Sequence, residues 1–390
     1  MKILVLANAM NTLSGGDKRF IEIFKRFKAK GYSVKIMLPK IGYKICKDEN
    51  LDVTYQILPI HSENNLGSIL SNLLRLVIAN LVVIKNLRKH DVVYSTSDFL
   101  NDTIPAMFLK LIDKKIKWVA VTHYLIPEPS TRDGNFLTNL VSFFTQRISI
   151  GAMKRYADLI ITSTDFLKSQ LVSLGAPENK IKVGSNGIDT KLIDDIPEGT
   201  RYYDACFVAR LKPSKGIYDV IHIWERVCRK KENAKLIMVG DGEEVIINKL
   251  HNLIKQKKLT RNVEMVGFRR SVDTYKIMKS SKLLLYADSE NGWGIAIAEA
   301  MCSKCAVIAY DLPVYREVFG DGILLVPLKN VSKFADVVVD LLFNESLRRK
   351  LGERSRTIVE KYDWGKIALA EMVNIQNMLE DTSGMSQPDK

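Results

Sequence analysis

Short apolar runs alternate with amphipathic stretches along the whole chain. Residues 3–7 (Ile-Leu-Val-Leu-Ala) form the first run, and 17–30 then set Phe20, Phe24 and Phe27 at helical spacing among Lys18, Lys25, Arg26 and Lys28. Further apolar runs stand at 33–38, 92–95 and 117–121, with helical patterns between them. After the turn-rich segment 194–203 a second series begins, with strands expected at 205–208, 235–239, 263–266, 283–287 and 307–310. Strands that alternate with helices predict parallel sheets wrapped by helices, so the fold class is α/β with two Rossmann-like, doubly wound domains. Their expected extents are 1–193 and 203–363. The stretch 364–380 reads as a final amphipathic helix, and the polar tail 381–390 is expected to be disordered.

Length agrees with two domains, because 390 residues exceed what one core usually serves. The longest apolar run, 76–84, is interrupted by Asn80 and too short to span a bilayer; the apolar start is too short for a signal peptide. Five cysteines form no disulfide framework and suit a reducing, cytoplasmic compartment. The net charge is +14, and 26 Lys and Arg against 16 Asp and Glu lie before residue 190, about +10 of the total. Such a basic half argues for an anionic partner. No nucleic-acid motif appears, so the expected partner is an acidic glycan or an anionic membrane, contacted peripherally at the inner face of the plasma membrane. The 18–30 helix carries two readings, a core helix with a solvated basic face or a membrane-docking face.

The chemistry concentrates in the second half. Ala209-Arg210-Leu211-Lys212-Pro213-Ser214-Lys215-Gly216 follows a strand and opens a helix, which places two cations and free N–H groups where a diphosphate would need them. In Gly292-Trp293-Gly294-Ile295-Ala296-Ile297-Ala298-Glu299, glycines let backbone approach a ligand before a helix begins. That helix delivers Glu299 about one and a half turns in, where a carboxylate can accept two hydrogen bonds from a ribose diol. In the first half, Ser14-Gly15-Gly16 opens the basic helix and can approach a phosphate or sugar. His123 ends a strand and can hydrogen-bond a sugar hydroxyl or an acceptor. The segment 124–134 has the composition of a mobile acceptor-side loop. No Gly-x-Gly-x-x-Gly follows a strand, which disfavours a nicotinamide dehydrogenase, and no Asp-x-Asp or His/Cys cluster suggests a metal.

With these segments in order, the chain resembles the retaining glycosyltransferases of family 4 from Met1 to about Met378. The resemblance implies the GT-B fold, in which two Rossmann-like domains face a central cleft and the last helix crosses back onto the first. It implies a retaining, metal-independent hexosyltransferase that takes a nucleotide-diphosphate sugar, UDP- or GDP-linked, and needs no resident cofactor. The acceptor would be a hydroxyl of a glycan or lipid-linked molecule, as in polysaccharide or glycolipid biosynthesis. By resemblance the catalytic set is His123, Arg210, Lys215 and Glu290 or Asn291; Gly15, Gly16, Gly292, Trp293, Gly294, Ile295 and Glu299 bind the donor. Two departures stand out. Asp17-Lys18 replaces the family's frequent Ala-Glu after the Gly-Gly turn. Asn291 stands where the family has the first of two glutamates, so either Glu290 reaches in or the Asn291 amide contacts the sugar. Two other readings stay open: a GT-B nucleotide-sugar 2-epimerase and a non-catalytic nucleotide-sugar-binding subunit.

Overall fold

A computed structural model describes residues 1–60, 68–132, 135–290 and 292–380. The tail 381–390 therefore lies outside the described residues. The chain divides into two units: Met1–Asn186 together with the helix Trp364–Glu380, and Gly187–Asp363. Residues 187–193, expected with the first domain, fall in the second unit. There the Ile188 N–H donates to the Tyr362 carbonyl at 2.8 Å, and Asp189 caps the short helix Thr190–Asp194.

In the first unit seven strands form one parallel sheet: β1 (Lys2–Leu6), β2 (Ser33–Leu38), β3 (Thr54–Ile57), β4 (Val92–Ser95), β5 (Lys117–Thr122), β6 (Leu159–Thr162) and β7 (Ile181–Val183). Their order is β3-β2-β1-β4-β5-β6-β7. Helices cover both faces, so the central strands are apolar on both sides: Ile3, Leu4, Val5 and Leu6 are all buried. The strand order reverses between β1 and β4. Chains leaving those two neighbours diverge to opposite faces and open a crevice at their carboxyl ends, where ligands of such sheets bind.

The helix Gly15–Ala29 buries Phe20, Phe24 and Phe27 almost completely, and the Phe24 ring meets Tyr94 edge-on at 4.9 Å. Its aromatic positions therefore belong to the core, which removes the reading of this helix as a membrane-docking face. Lys25 and Arg26 are also turned aside, since both pair with Glu22 at 2.6 Å. Arg19, on the inner side, is buried and donates to the Tyr94 hydroxyl at 3.0 Å, to the Gly184 carbonyl at 2.9 Å and to Glu371. Glu371 comes from the helix Trp364–Glu380, whose Ala368, Met372, Ile375 and Met378 complete the same apolar cluster.

The second unit repeats the plan with six parallel strands: β8 (Tyr203–Val208), β9 (Leu236–Val239), β10 (Val263–Met265), β11 (Ser281–Tyr286), β12 (Ala306–Tyr310) and β13 (Leu324–Val326). The order β10-β9-β8-β11-β12-β13 again reverses, here between β8 and β11. The helix Ile217–Lys230 seals one face by burying Ile217, Val220, Ile221, Trp224 and Val227 at helical spacing. Among the described residues, no helix is long and apolar enough to cross a membrane.

Candidate functional site

Both reversal points carry the residues singled out from the sequence. In the second unit the loop after β8 holds Arg210 and Lys215, and the loop after β11 holds Glu290 and Gly292–Gly294. The two loops are joined directly, because the Ser289 N–H and Oγ both donate to the Ser214 carbonyl, at 3.0 and 3.1 Å. Gly216 makes this approach possible. Its φ is +71°, and a Cβ there would lie 2.1 Å from the Ala287 carbonyl oxygen. A 3-10 turn, Pro213–Lys215, then delivers Lys215 at the mouth of the helix Ile217–Lys230.

The two cations are held differently. Lys215 Nζ pairs with Asp288 at 2.5 Å, and Asp288 also accepts the Glu290 N–H at 2.9 Å. Asp288 is buried, and burial pushes its carboxyl above the usual range against the opposing pull of Lys215. Arg210 is exposed and makes no ion pair or side-chain hydrogen bond among the described residues. It is thus the cation of this loop left for an incoming anion.

The helix Ile295–Cys302 starts from Gly294, whose φ is +85° and which offers no side-chain cap. Its first N–H groups have no partner within the helix, as at any helix start, and no side chain caps them. Ile295, its first residue, is half-buried. Glu299 lies further along and is buried, where it accepts the Tyr275 hydroxyl at 3.0 Å. Glu290 is half-buried, and its carbonyl accepts the Gly292 N–H at 2.8 Å. Asn291 lies outside the described residues. The Trp293 ring is buried edge-on against Phe319 at 5.5 Å and Tyr362 at 5.0 Å. What it can offer a ligand is backbone.

The first unit builds a neutral counterpart. His123 follows β5, and its Nε2 lies 2.9 Å from the Thr96 carbonyl, just past β4. A carbonyl only accepts, so Nε2 carries the proton and Nδ1 keeps a lone pair. Burial, with Arg19 nearby, lowers the imidazole to about 4. The ring is therefore neutral at physiological pH. Gly16 packs on this ring so closely that a Cβ would sit 2.6 Å from Nε2. Gly15 and Gly16 open their helix under a capping box: Asp17 N–H donates to Ser14 Oγ at 3.2 Å, and Asp17 accepts the Ser14 N–H at 2.8 Å. The Asp17 departure thus puts a carboxylate at this helix start, which suits a neutral sugar better than a phosphate.

Sequence reasoning missed Asp288, Tyr275 and Thr96. Each acts through a partner far away in the chain, and only the Asp288-Ser289-Glu290 run directly after a strand could have signalled the first. Among the described residues, no group of three or more His, Cys, Asp or Glu gathers as for a metal ion.

Two parallel sheets, each with a ligand-type loop pair at its reversal point, define the GT-B architecture. The comparisons agree over nearly the whole chain. The Glycosyltransferase Family 4 model matches residues 13–192 and the Glycosyl transferases group 1 model matches 189–358, and the chain belongs to the GT-B glycosyltransferases of this family 4 type. It is 29% identical over 174 residues to a poly(ribitol-phosphate) α-N-acetylglucosaminyltransferase of Staphylococcus aureus, covering 44% of this chain and 34% of that protein. A phosphatidyl-myo-inositol mannosyltransferase of Mycobacterium leprae is 26% identical over 250 residues, covering 60% of this chain and 63% of that one. The chain spans less than two thirds of either relative. In fold it is similar to Anabaena HepE, solved in complex with UDP and glucose, at a TM-score of 0.77 and 18% identity over 97% of this chain and 100% of that one.

Proposed function

We propose that this chain is a retaining, metal-independent hexosyltransferase. It would move a sugar from a nucleotide-diphosphate donor, most simply a UDP-sugar, to a hydroxyl of a phosphate-bearing glycan or lipid-linked acceptor. The observation that carries this reading is the direct bond between the Ser214 and Ser289 loops, which brings Arg210, Lys215 and the uncapped helix start at Gly294 to one crevice. Support for UDP comes from HepE, solved with that nucleotide. Support for an anionic acceptor comes from the basic first half and from two relatives named for phosphate-bearing acceptors.

In the transfer the bond from the anomeric carbon to the leaving phosphate oxygen breaks, and the acceptor oxygen bonds the same face of that carbon. The acceptor proton passes to the departing phosphate oxygen, so the charge that needs stabilising collects on the diphosphate. Arg210, Lys215 and the N–H groups after Gly294 meet that charge without rearrangement. Glu299 would hold the ribose. Neutral His123, with a lone pair at Nδ1, would orient a hydroxyl of the sugar or acceptor; Glu290 or Asn291 would contact the donor sugar. Gly15 and Gly16 open the helix that packs against His123.

The test is a thermal-shift screen of UDP-, GDP-, ADP- and TDP-sugars, where a ligand at about a hundred times its dissociation constant adds about 2.7 kcal/mol of stability. NMR of the product should then show the donor's anomeric configuration kept. An inverted product overturns the retaining mechanism, and binding with neither hydrolysis nor transfer points to a non-catalytic subunit.

A further inference from the structure

The helix Ser68–Val83 has two apolar faces. Ala79 and Val83 turn inward and are buried, as a core helix requires. Leu70, Leu73, Leu74, Val77, Leu81 and the following Ile84 recur at helical spacing on the outside, with Val77 58% and Leu81 64% exposed. The helix Leu100–Ile112 packs between this helix and Phe136–Tyr156. Phe136, Leu137, Phe144 and Ile148 of that third helix are exposed as well, Phe136 by 60%. Where the three helices begin, they close a cavity of about 230 Å³ beside Ala9 and Asn11, in the loop leading from β1 to Gly15. Its apolar wall is Leu73, Leu76, Phe99 and Val141, and Asn11, Asn72, Thr138, Ser142 and Thr145 add amides and hydroxyls. This many exposed apolar side chains on one layer of packed helices are costly unless something covers them.

We infer that this three-helix face docks on an anionic lipid bilayer. Charge selects that occupant. Neither Ser68–Val83 nor Phe136–Tyr156 contains a single Asp or Glu, and Arg155 of the second is exposed. Exposed Lys85, Arg88 and Lys89 follow the first helix, and exposed Lys114 and Lys115 follow the exposed Leu111 and Ile112 that end the middle one. An apolar stripe rimmed by cations matches acyl chains beneath anionic headgroups. A second copy would set the two acid-free outer helices and their flanking cations against themselves, and a soluble glycan has no use for exposed leucines. The cavity then holds the polar end of a membrane-borne acceptor near the Gly15-Gly16 loop while its hydrocarbon stays in the bilayer; this use of the face rests on the proposed transferase activity.

The experiment is co-sedimentation of the full chain with phosphatidylglycerol/phosphatidylcholine vesicles and with phosphatidylcholine alone. The wild type should pellet with the anionic vesicles and be released as salt rises. The triple variant Val77→Gln, Leu81→Gln, Ile84→Gln should lose about tenfold or more in partitioning, and Lys85→Glu with Lys89→Glu should lose a similar factor only on anionic vesicles. None of these five positions lies in the proposed sugar site, so nucleotide-sugar stabilisation and melting temperature should match the wild type, showing that the variants fold. No binding at low salt, unchanged partitioning of the triple variant, or a wild-type dimer that the triple variant abolishes would each overturn the docking. A chain that binds vesicles but is stabilised by no nucleotide sugar overturns the transferase reading and leaves the docking standing.

Discussion

The two reversal points solve opposite problems with the same strand order. After β8 and β11 the chain assembles positive charge: Arg210 is uncommitted, Lys215 is fixed by Asp288, and a helix starts from a glycine with no side chain over its N–H groups. Beside the reversal of β1 and β4 the helix start is occupied by the Ser14–Asp17 capping box, and the histidine that follows β5 and reaches the Thr96 carbonyl is kept neutral. On the proposed reading, one crevice would meet an anion that gains charge as a bond breaks, and the other would meet hydroxyls that never ionise. The same fold supports both because the loops, and not the sheets, set the electrostatics.

The charged crevice should break most visibly. Arg210→Ala should cut turnover about thirty to a thousandfold by removing roughly 2 to 4 kcal/mol of transition-state stabilisation, with an unchanged urea midpoint because Arg210 is exposed. Lys215→Ala should lose comparable turnover and also about 3 kcal/mol of stability, since Asp288 is left buried without its partner. Adding Asp288→Asn to that variant should restore the urea midpoint but not the turnover. Full turnover in a folded Arg210→Ala protein would move the diphosphate elsewhere.

Gly16→Ala tests the neutral side. The new Cβ displaces the His123 ring from the Thr96 carbonyl, and turnover should fall about ten- to a hundredfold through lost positioning. Affinity for free nucleotide, measured by calorimetry, should stay put; if it drops as well, the two crevices do not divide the substrate between them. Glu299→Gln should weaken free nucleotide about tenfold, and Tyr275→Phe about threefold by removing the hydroxyl that donates to Glu299.

The smallest effect concerns pH. Folded His123 titrates at about 4, below the ordinary histidine range near 6.5, so between those values the unfolded chain binds more protons than the folded one. The stability it contributes is complete above about 6.5 and is lost as pH falls toward 4. Acid titration of His123→Asn should lack that component. Between about pH 5.5 and 8, kcat/KM profiles of the two proteins should share one shape, because the imidazole does not ionise there.

Elements and groups that depend on neighbouring residues were legible in the sequence. Strands β1, β2, β4 and β5, and most of the second sheet, stand out as apolar runs because helices bury both their faces. β3, β6, β7 and β13 did not. Thr-Tyr-Gln-Ile of β3 and the three-residue β7 and β13 sit at sheet edges, where pairing on one side suffices and no long apolar run is needed. β6 is fully buried and no shorter than β4, and nothing in its length explains why it was missed. Arg210, Lys215 and the glycines were visible for the same local reason. The pairs Lys215–Asp288, Tyr275–Glu299 and Gly16–His123 exist only once distant strands align. Trp293 looked like a ligand contact because it stands between glycines, and only the position of Phe319 and Tyr362 shows that the core takes its ring.

The helix Trp364–Glu380 has a consequence for the order in which the protein can be made. Synthesis runs from the amino end, and domains ordinarily fold as they emerge. Here the first unit is incomplete until Ala368, Met372 and Ile375 arrive to close its apolar cluster and Glu371 arrives to neutralise buried Arg19. The second unit, continuous from Gly187 to Asp363, is finished earlier, so translation delivers the halves in reverse. Until then the first unit carries an uncompensated guanidinium where no charge can comfortably stay, and it remains open to capture by chaperones. Ribosome-stalled chains in which Asp363 is followed by a linker long enough to clear the exit tunnel should therefore show protease resistance across 187–363 while 1–186 is still cleaved.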